Sequence, residues 1–386
     1  MSSQFDISKA ADQCVMCGMC LPHCPTYQVS QHEAESPRGR ISLIKAFAEG
    51  QLTASDSLET HIQSCTGCLK CQQICPAKVN YQEIIDTGKQ IYRSRQSYRS
   101  RLVQNIAIQA STSHRGHKLV RFVSRIVKKV PNSGRFIQLL KYVESNPANY
   151  SMRNQHTSSV NVFTGCTGSL YDQQTLNSLI TLLDTIGIEA KAPKTILCCG
   201  ALSQHSGLPE KAARNIKNLK GYLCKQSSSI LLSIASGCGR QLNEQLPTDS
   251  IQHYDALHWL SSQNAFQDIQ YTATSQKVLL HTPCTVSTAE QKRSYEILNK
   301  IPNIELIEFN DALACCGAGG LQLTSPETSN QRLLKEKINT IQTVKPDVIV
   351  SSNVGCALNF KLGLDEADLD IEVIHPLTLL ARQLDV

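Results

Sequence analysis

Aromatic residues are scarce in this chain: they make up 5% of its 386 residues, with a single Trp. Because single-stranded nucleic acids bind largely by stacking on aromatic side chains, this composition offers little support for such binding. No run approaches the roughly 18 consecutive apolar residues of a membrane span. The N-terminal segment MSSQFDISKAADQC has no basic region, no apolar core and no twin arginine. We therefore expect a cytoplasmic protein and leave open peripheral contact with the cytoplasmic face of the membrane.

Several cofactor and catalytic motifs are also missing. The sequence has no G-x-G-x-x-G, no Walker A, no G-x-S-x-G and no H-E-x-x-H pattern. Removing a hydride from a carbon requires an organic cofactor such as a flavin or NAD. We therefore predict that this chain carries neither flavin nor NAD and relies on another subunit for such chemistry.

Cysteine is unusually abundant, at 17 residues in a globular composition that is 41% hydrophobic and 18% charged. In a reducing cytosol, clustered cysteines indicate metal or catalytic sites more often than disulfides. Eight of them lie between residues 14 and 75, and nine lie between residues 166 and 356. We therefore expect two separate sets of sites.

The first eight cysteines form two copies of C-x2-C-x2-C-x3-C-P, ending at Pro25 and Pro76. Three thiolates at this spacing wrap one [4Fe–4S] cluster, and the fourth cysteine of each run ligates the other cluster. The sequence therefore predicts two clusters. The first is held by Cys14, Cys17, Cys20 and Cys75, and the second by Cys24, Cys65, Cys68 and Cys71. Between the runs, Arg38 and Arg40 either raise a cluster's potential or meet an acidic partner, or else belong to an ordinary surface turn.

The segment between the two cysteine populations is strongly basic. Residues 88–153 contain fourteen Lys and Arg and one acid, Glu144, whereas the whole chain has a net charge of +6. Apolar residues recur at helical spacing over 119–130 and 136–143, separated by a break at 131–134. We favour a solvated connector packed across two domains. Docking to a partner subunit or to an anionic membrane surface is the alternative, and nucleic-acid binding has no supporting motif.

The remaining cysteines reveal an internal duplication, because four of them recur at offsets of 117 or 118 residues. Each copy alternates strand-like runs with helix-like segments, which predicts two α/β units with largely parallel sheets. The cysteines follow the strands, where such sheets place their ligand sites. The predicted sets are Cys166, Cys198, Cys199 and Cys238 in the first repeat, and Cys284, Cys315, Cys316 and Cys356 in the second.

Other polar residues near these sets receive plainer interpretations. Cys224 lies outside both sets, and we expect a small buried hydrophobe. His281 and His205 lie near the cysteines in sequence and could ligate a metal or orient a ligand, but we favour ordinary polar residues. His375 has no evident partner.

Taken together, these motifs resemble the iron–sulfur subunits of glycolate oxidase. The strings CPTYQ, PRGRI, ASGCG, PCT and NVGC fit that family as well, and the likeness covers nearly the whole chain. The iron–sulfur subunits of anaerobic glycerol-3-phosphate dehydrogenase share this architecture, and the duplicated half resembles the catalytic subunit of heterodisulfide reductase. The latter pattern closes each repeat with C-x2-C, but here Ala235 and Asn353 replace the first cysteine of each pair. A further iron–sulfur cluster, a zinc ion or free thiols therefore remain open for these sites.

The resemblance implies an electron-transfer subunit of a flavin-dependent 2-hydroxy-acid dehydrogenase. An FAD-binding partner would oxidise the substrate, with glycolate to glyoxylate as the leading reaction, and this chain would pass the electrons towards quinone. D-lactate, 2-hydroxyglutarate and glycerol-3-phosphate are alternative substrates of the partner. A stand-alone thiol–disulfide reductase and a redox regulator that binds nucleic acid are the alternatives of other classes.

The predicted architecture is an α+β multi-domain chain. We expect a helical two-[4Fe–4S] ferredoxin-like domain at residues 1–87 and a basic helical connector at 88–154. Two cysteine-rich α/β domains follow at 155–273 and 274–386.

Overall fold

The computed structural model describes residues 5–96, 98–127, 134–144, 156–247, 249–309, 315–324 and 329–385. The chain forms two compact units. The first comprises Met1–Ala107 together with two later segments, Leu202–Ala212 and Ala312–Lys337. The second comprises Ile108–Ala201, Ala213–Asp311 and Ile338–Val386. The segment after each predicted cysteine doublet therefore contributes to the N-terminal unit.

The N-terminal part of the first unit is helical, as predicted. Its core is built from apolar residues of several short helices, among which Ile44, Phe47, Ile62 and Ile84 are almost fully buried. The helices are α1 (Ile7–Asp12), α2 (Pro25–Ser30), α3 (Pro37–Ala48), α4 (Asp56–Gln63), α5 (Lys70–Ile74) and α6 (Tyr81–Arg95).

Helix α3 begins where the sequence provides a cap. The Ser36 hydroxyl accepts a hydrogen bond from the Gly39 amide at 2.9 Å, and Pro37 occupies the first helical turn, where its missing N–H costs nothing. A Cβ on Gly39 would lie only 2.0 Å from the carbonyl oxygen of Glu33, so this position requires glycine. The helix ends at Ala48, two residues before Gly50, whose φ is +76°.

The basic connector forms three helices, namely α7 (Tyr98–Thr112), α8 (His114–Val127) and α9 (Arg135–Lys141). The two helices predicted here are confirmed as α8 and α9, whereas the predicted continuation of α8 to residue 130 and most of the break at 131–134 lie outside the described residues. Val120, Val123 and Val127 of α8 pack against Leu140 and Val143.

The second unit contains two parallel sheets, as the alternating strand and helix patterns predicted. The first sheet has the order β2-β1-β3-β4 and the second has the order β6-β5-β7-β8. The first repeat contains β1 (Ser158–Phe163), α10 (Gly165–Tyr171), α11 (Gln173–Thr185), β2 (Ile188–Lys191), α12 (Ala201–His205), α13 (Pro209–Leu223), β3 (Ile230–Ser233), α14 (Ser236–Gln245), β4 (Gln252–Asp255), α15 (Ala256–Ser261) and α16 (Asn264–Gln267). The second contains β5 (Lys277–His281), α17 (Thr288–Leu298), β6 (Glu305–Glu308), α18 (Ser329–Val344), β7 (Val348–Ser351), α19 (Val354–Glu366), β8 (Glu372–Ile374) and α20 (Pro376–Arg382). Short 3₁₀ turns lie at Glu33–Glu35 and Gly320–Thr324.

The central strand pairs of the two sheets, β1 with β3 and β5 with β7, match residue for residue. Phe163 pairs with Ser233 at the carboxyl end of the first sheet, and His281 pairs with Ser351 at the same place in the second. Both offsets are 118 residues, in agreement with the cysteine offsets. One hydrophobic core contains buried residues of both repeats, from Val160 to Leu380. The duplication seen in the sequence is therefore a duplication of structure.

Candidate metal centres

The loops that carry the N-terminal cysteines turn in the same way. In the first loop Met16 and Gly18, on either side of Cys17, have φ values of 55° and 82°. In the second loop Gly67 and Leu69, on either side of Cys68, have φ values of 65° and 59°. Left-handed residues at matching positions coil each backbone tightly. This is the local shape that three closely spaced cysteines need in order to face one centre.

The thiols of this region lie close to one another in a buried environment. Burial, followed by the charges of Cys65, Cys68 and Cys24, raises the pKa of Cys71 well above its ordinary value. Burial also raises the pKa of Cys68, and Cys65 and Cys24 add to this shift. Such thiols become thiolates only when bound cations neutralise them, so the donor set fits iron. Cys24 lies beside the thiols of the second run, which agrees with the predicted crossing of ligands, although the assignment of each cysteine stays a prediction.

Arg40 does not lie in a surface turn, because its side chain is buried. It is 1% exposed, and each of its five N–H groups has a partner. The acceptors are the carbonyl of His61 (2.7 Å), Thr26 Oγ1 (3.0 Å), and the carbonyl (2.5 Å) and carboxylate (2.6 Å) of Glu35, with Ser64 Oγ at 2.8 Å. Although burial opposes the charged form, nearby groups including Cys65 and Cys24 raise the pKa of Arg40 overall. A permanent positive charge therefore acts on Cys65 of the second run and on Cys24 of the first.

Arg38 has a different role. Its side chain pairs with Glu33 at 2.7 Å and donates to the carbonyl of Met16 at 2.8 Å. Arg38 therefore supports the first cysteine loop from the more exposed side of the turn.

The structure brings together all four cysteines predicted for the first repeat. The Sγ atoms of Cys198 and Cys166 are 3.6 Å apart, and those of Cys199 and Cys238 are 3.3 Å apart. The hydrogen bond with Cys198, together with burial, raises the pKa of Cys166 well above its ordinary value. A charge on Cys166 also acts on Cys199, so the two pairs belong to one cluster of thiols.

Glycines bring these thiols to the ends of the strands. Gly165, with φ +71°, follows β1 and has Cys238 Sγ 3.2 Å from the position of a Cβ. Gly200, with φ +85°, follows the doublet, and its amide donates to Cys198 Sγ at 3.4 Å. The four thiols therefore lie at the carboxyl end of the parallel sheet, where we expected a ligand site.

The second set is divided between the two compact units. Cys284 follows β5 and Cys356 lies in the first turn of α19, both in the second unit, whereas Cys315 and Cys316 belong to the first. Asn353, which replaces a cysteine of the related pattern, caps α19 by accepting from the amides of Gly355 (2.9 Å) and Cys356 (3.4 Å). The substituted residue therefore has a structural role at the helix that carries the last cysteine.

Within the first unit, the segments from the repeats contact the N-terminal helices and loops. His205 pairs with Asp86 at 3.1 Å. Burial opposes the charged form of Asp86, but His205, together with Lys89 and Gln204, lowers its pKa overall. A Cβ on Gly319 would lie 2.5 Å from the carbonyl oxygen of Thr66, next to Cys65. These contacts hold chain segments that adjoin the cysteine doublets against the N-terminal cysteine domain.

Two of the plainer interpretations are wrong. Cys224 is exposed rather than buried, because α13 ends at Leu223 and leaves the next residue in solvent. His375 does have a partner: its Nδ1 accepts from the amide of Leu377 at 3.1 Å and caps α20. His205, which pairs with Asp86, is the ordinary polar residue that we expected.

The sequence did not reveal that the Arg40 side chain is surrounded by hydrogen-bond acceptors. Its partners Thr26, Glu35 and Ser64 come from three separate elements, and nothing in their spacing shows that they meet. The string PRGR next to a buried helix was the available signal, because a charged residue on an apolar helical face requires a partner.

Among the residues that the structure describes, none of the helices is both long and apolar enough to cross a bilayer.

Comparison with known proteins identifies the class first. Residues 10–79 match the 4Fe-4S dicluster domain, and residues 160–243 and 278–361 each match a cysteine-rich domain. The chain is thus an iron–sulfur protein with one dicluster domain and a duplicated cysteine-rich domain, as predicted.

Relatives that match most of the chain show which iron–sulfur proteins it is similar to. The chain is 28% identical to the glycolate oxidase iron–sulfur subunit of Escherichia coli (strain K12), over 89% of this chain and 88% of that protein. It is 25% identical to a probable glycolate oxidase iron–sulfur subunit of Bacillus subtilis (strain 168), over 95% and 92% respectively. A fumarate reductase (CoM/CoB) subunit of Methanothermobacter marburgensis is 24% identical, over 97% of this chain and 73% of that protein. Over most of its length the chain is therefore similar to iron–sulfur subunits of the glycolate oxidase type.

Proposed function

We propose that this chain is the electron-transfer subunit of a flavin-dependent 2-hydroxy-acid dehydrogenase that oxidises glycolate to glyoxylate. The observation that carries the proposal is the combination of two matched cysteine loops with buried thiols and a third thiol cluster in the first repeat. One-electron carriers suit a chain that receives electrons from a reduced flavin, since iron–sulfur clusters cannot remove a hydride themselves. The flavin and the substrate pocket then belong to a partner, and quinone is the acceptor.

The residues proposed to hold the clusters remain those assigned from the sequence. Cys14, Cys17, Cys20 and Cys75 would hold one [4Fe–4S] cluster, and Cys24, Cys65, Cys68 and Cys71 would hold the other. These clusters would supply one-electron transfer.

A further cluster is proposed in the cysteine-rich repeats. In the first repeat, the four thiols in mutual contact support it. In the first unit, a charge on Cys315 acts on Cys68. This electrostatic influence of a cysteine of the second repeat on a proposed cluster ligand supports electron transfer from the N-terminal clusters to that repeat.

We also propose that α8 contacts an anionic membrane surface. Leu119, Phe122 and Ile126 lie along one side of the helix and are each about 60% exposed. Lys118 and Arg125 flank them, in a segment that has fourteen cations and one acid. An apolar ridge with flanking cations is suited to the boundary between lipid headgroups and acyl chains, where a quinone acceptor is reached. This charge complementarity favours lipid over a protein partner.

The test of the electron-transfer role is anaerobic co-purification of the chain from its native cells. Co-purifying flavin is quantified, and dye reduction is measured with glycolate, D-lactate and 2-hydroxyglutarate. We expect a flavoprotein to co-purify and glycolate to give the highest rate. A matched pair of variants locates the electron path: Cys68→Ser should abolish glycolate-dependent reduction of the clusters, whereas Cys224→Ser, at an exposed cysteine outside every proposed site, should not.

The result that would overturn the proposal is a chain that purifies without flavin and reduces disulfides by itself. The fumarate reductase (CoM/CoB) subunit among the relatives is the reason to include this assay. Turnover of a disulfide by the isolated, reduced chain would favour the stand-alone reductase.

A further inference from the structure

His281 differs from its counterpart in the first repeat. The two residues occupy the same register position, because His281 pairs with Ser351 as Phe163 pairs with Ser233. Each stands three residues before the first cysteine of its repeat. At this point, next to the proposed metal ligands, one copy therefore has an imidazole and the other has a hydrocarbon ring.

The imidazole of His281 is held in a fixed orientation. The residue is 2% exposed, and its Nδ1 lies 3.0 Å from Ser351 Oγ. Its ring packs edge-on against Phe309 and Phe360, with centroid distances of 5.8 and 4.9 Å. When Nδ1 donates its proton to Ser351, Nε2 presents a lone pair, which is the form in which histidine binds metals.

A cysteine of the second set lies within reach of that ring. A ring nitrogen of His281 and the Sγ atom of Cys356 lie within 4.8 Å of each other, and both residues are buried. Two ligands of one metal ion at ordinary Zn or Fe distances are separated by about 3–4 Å. The pair therefore needs only a small adjustment to share an ion.

The first repeat shows the contrast. There Phe163 packs against Leu242 in a small apolar cluster that also includes Cys199. The serine of that repeat, Ser233, bonds instead to His253 Nε2 at 2.9 Å. The same scaffold thus provides a serine at both strand ends. In the second repeat the serine bonds the imidazole at the register position that Phe163 occupies in the first.

From these observations we infer that His281 is a metal ligand of the second repeat, so that the two repeats hold different centres. The first would have sulfur ligands alone, and the second would combine the sulfur of Cys356 with one imidazole nitrogen. This inference deepens the proposed function, on which it rests, by distinguishing the two cysteine-rich sites. Histidine in place of thiolate on an iron raises the reduction potential, so the second centre becomes the better electron acceptor of the two.

The test is pulsed EPR on the full chain, purified anaerobically after labelling its histidines with ¹⁵N. Cys198→Ser/Cys199→Ser serves as the background, because it removes the centre of the first repeat. We expect a strong histidine nitrogen coupling in this background, and we expect His281→Phe, which copies the first repeat, to abolish it. The same variant should lower the affinity of the second repeat for iron at least tenfold. The matched control His253→Phe replaces a half-buried histidine that bonds a strand-end serine, and it should leave the coupling and the iron content unchanged.

Two results would overturn the inference. One is iron in the second repeat without histidine coupling. The other is a second repeat that holds no iron while the N-terminal clusters are intact. In both cases, reduction of the N-terminal clusters by glycolate through the partner would still report separately on the proposed function. Because the decisive measurement is made without altering His281, poor folding of His281→Phe would not obscure the result.

Discussion

The buried ion pair between Arg40 and Glu35 allows a quantitative test of how the N-terminal domain is held together. Glu35 is 5% exposed in the intact protein. Without Arg40 its carboxylate would keep Ser64 and His61 as the side-chain partners that the structure describes. Breaking one side of a buried pair typically costs about 3–5 kcal/mol. For a unit of this size, Arg40→Leu should therefore lower the melting temperature by roughly 6–20 °C.

A double-mutant cycle separates the pair from the packing around it. Arg40→Leu/Glu35→Leu removes both charges, and since an apolar replacement of a buried pair is often close to neutral, we expect it to be more stable than Arg40→Leu alone. The control is Arg38→Leu, which breaks a more exposed pair with Glu33 and should cost no more than about 1 kcal/mol. The assay is anaerobic thermal unfolding followed by circular dichroism. The reasoning fails if Arg40→Leu is no worse than Arg38→Leu, or if the two changes at Arg40 and Glu35 simply add.

The same variant bears on the redox properties of the clusters. The charge of Arg40 acts on Cys65 and Cys24. A unit charge roughly 6 Å away at an effective dielectric constant of about 20 contributes about 3 kcal/mol, or roughly 120 mV for one electron. A redox titration monitored by EPR should show a more negative potential for one N-terminal cluster in Arg40→Leu and a smaller shift in the double variant. An unchanged potential would show that Arg40 acts on stability alone.

The remaining predictions concern pH, backbone space and the surface of α8. Burial raises the pKa of Asp172 to about 6, so its contribution to stability is complete below its ordinary pKa and is lost as the pH rises through about 6. Asp172→Asn should therefore stabilise the chain at pH 8 by at most about 3 kcal/mol, seen as a higher melting temperature. The gain should vanish near pH 4, and a gain at every pH would contradict the raised pKa of Asp172. Gly39→Ala should destabilise the chain severely because its Cβ meets a backbone carbonyl. Gly221→Ala, in open space within α13, should instead stabilise the chain by up to about 1 kcal/mol. Equal melting temperatures of the two variants would refute both predictions. Phe122→Glu should reduce sedimentation of the chain with phosphatidylglycerol vesicles at least tenfold. Leu52→Glu, which makes the same charge change at another exposed residue, should not. If both variants lose binding equally, or if the unaltered chain binds neutral phosphatidylcholine vesicles equally well, the proposed lipid contact is excluded.

Much of the fold and part of the candidate site could be predicted from the sequence, because the patterns that specify them are local or repeated. Strand alternation, helix periodicity and the repeat offset predicted the parallel sheets and the meeting of Cys166, Cys198, Cys199 and Cys238. Each of those cysteines follows a strand or begins a helix, and parallel strands bring such positions to one edge. Helices α8 and α9 of the connector were likewise predicted from the helical spacing of their apolar residues.

Other features depend on contacts between distant parts of the chain. The partners of Arg40, the pairing of Asp86 with His205 and the cap that His375 provides to α20 are decided by packing, which periodicity does not encode. The prediction that Cys224 is buried was wrong for a related reason. Its position one residue beyond a helix exposes it, and helix ends are the least accurately predicted part of an element.

The shared core of the two cysteine-rich repeats has a consequence for how this protein evolves. Residues of both copies, such as Leu179 and Leu377, are fully buried in one cluster. Loss of either copy would leave the other with an uncovered apolar face. The strand-end positions beside the cysteines carry no such constraint, and Phe163 and His281 show that they have diverged. One packed frame thus carries two equivalent strand-end positions, to which our inference about His281 assigns different chemistry.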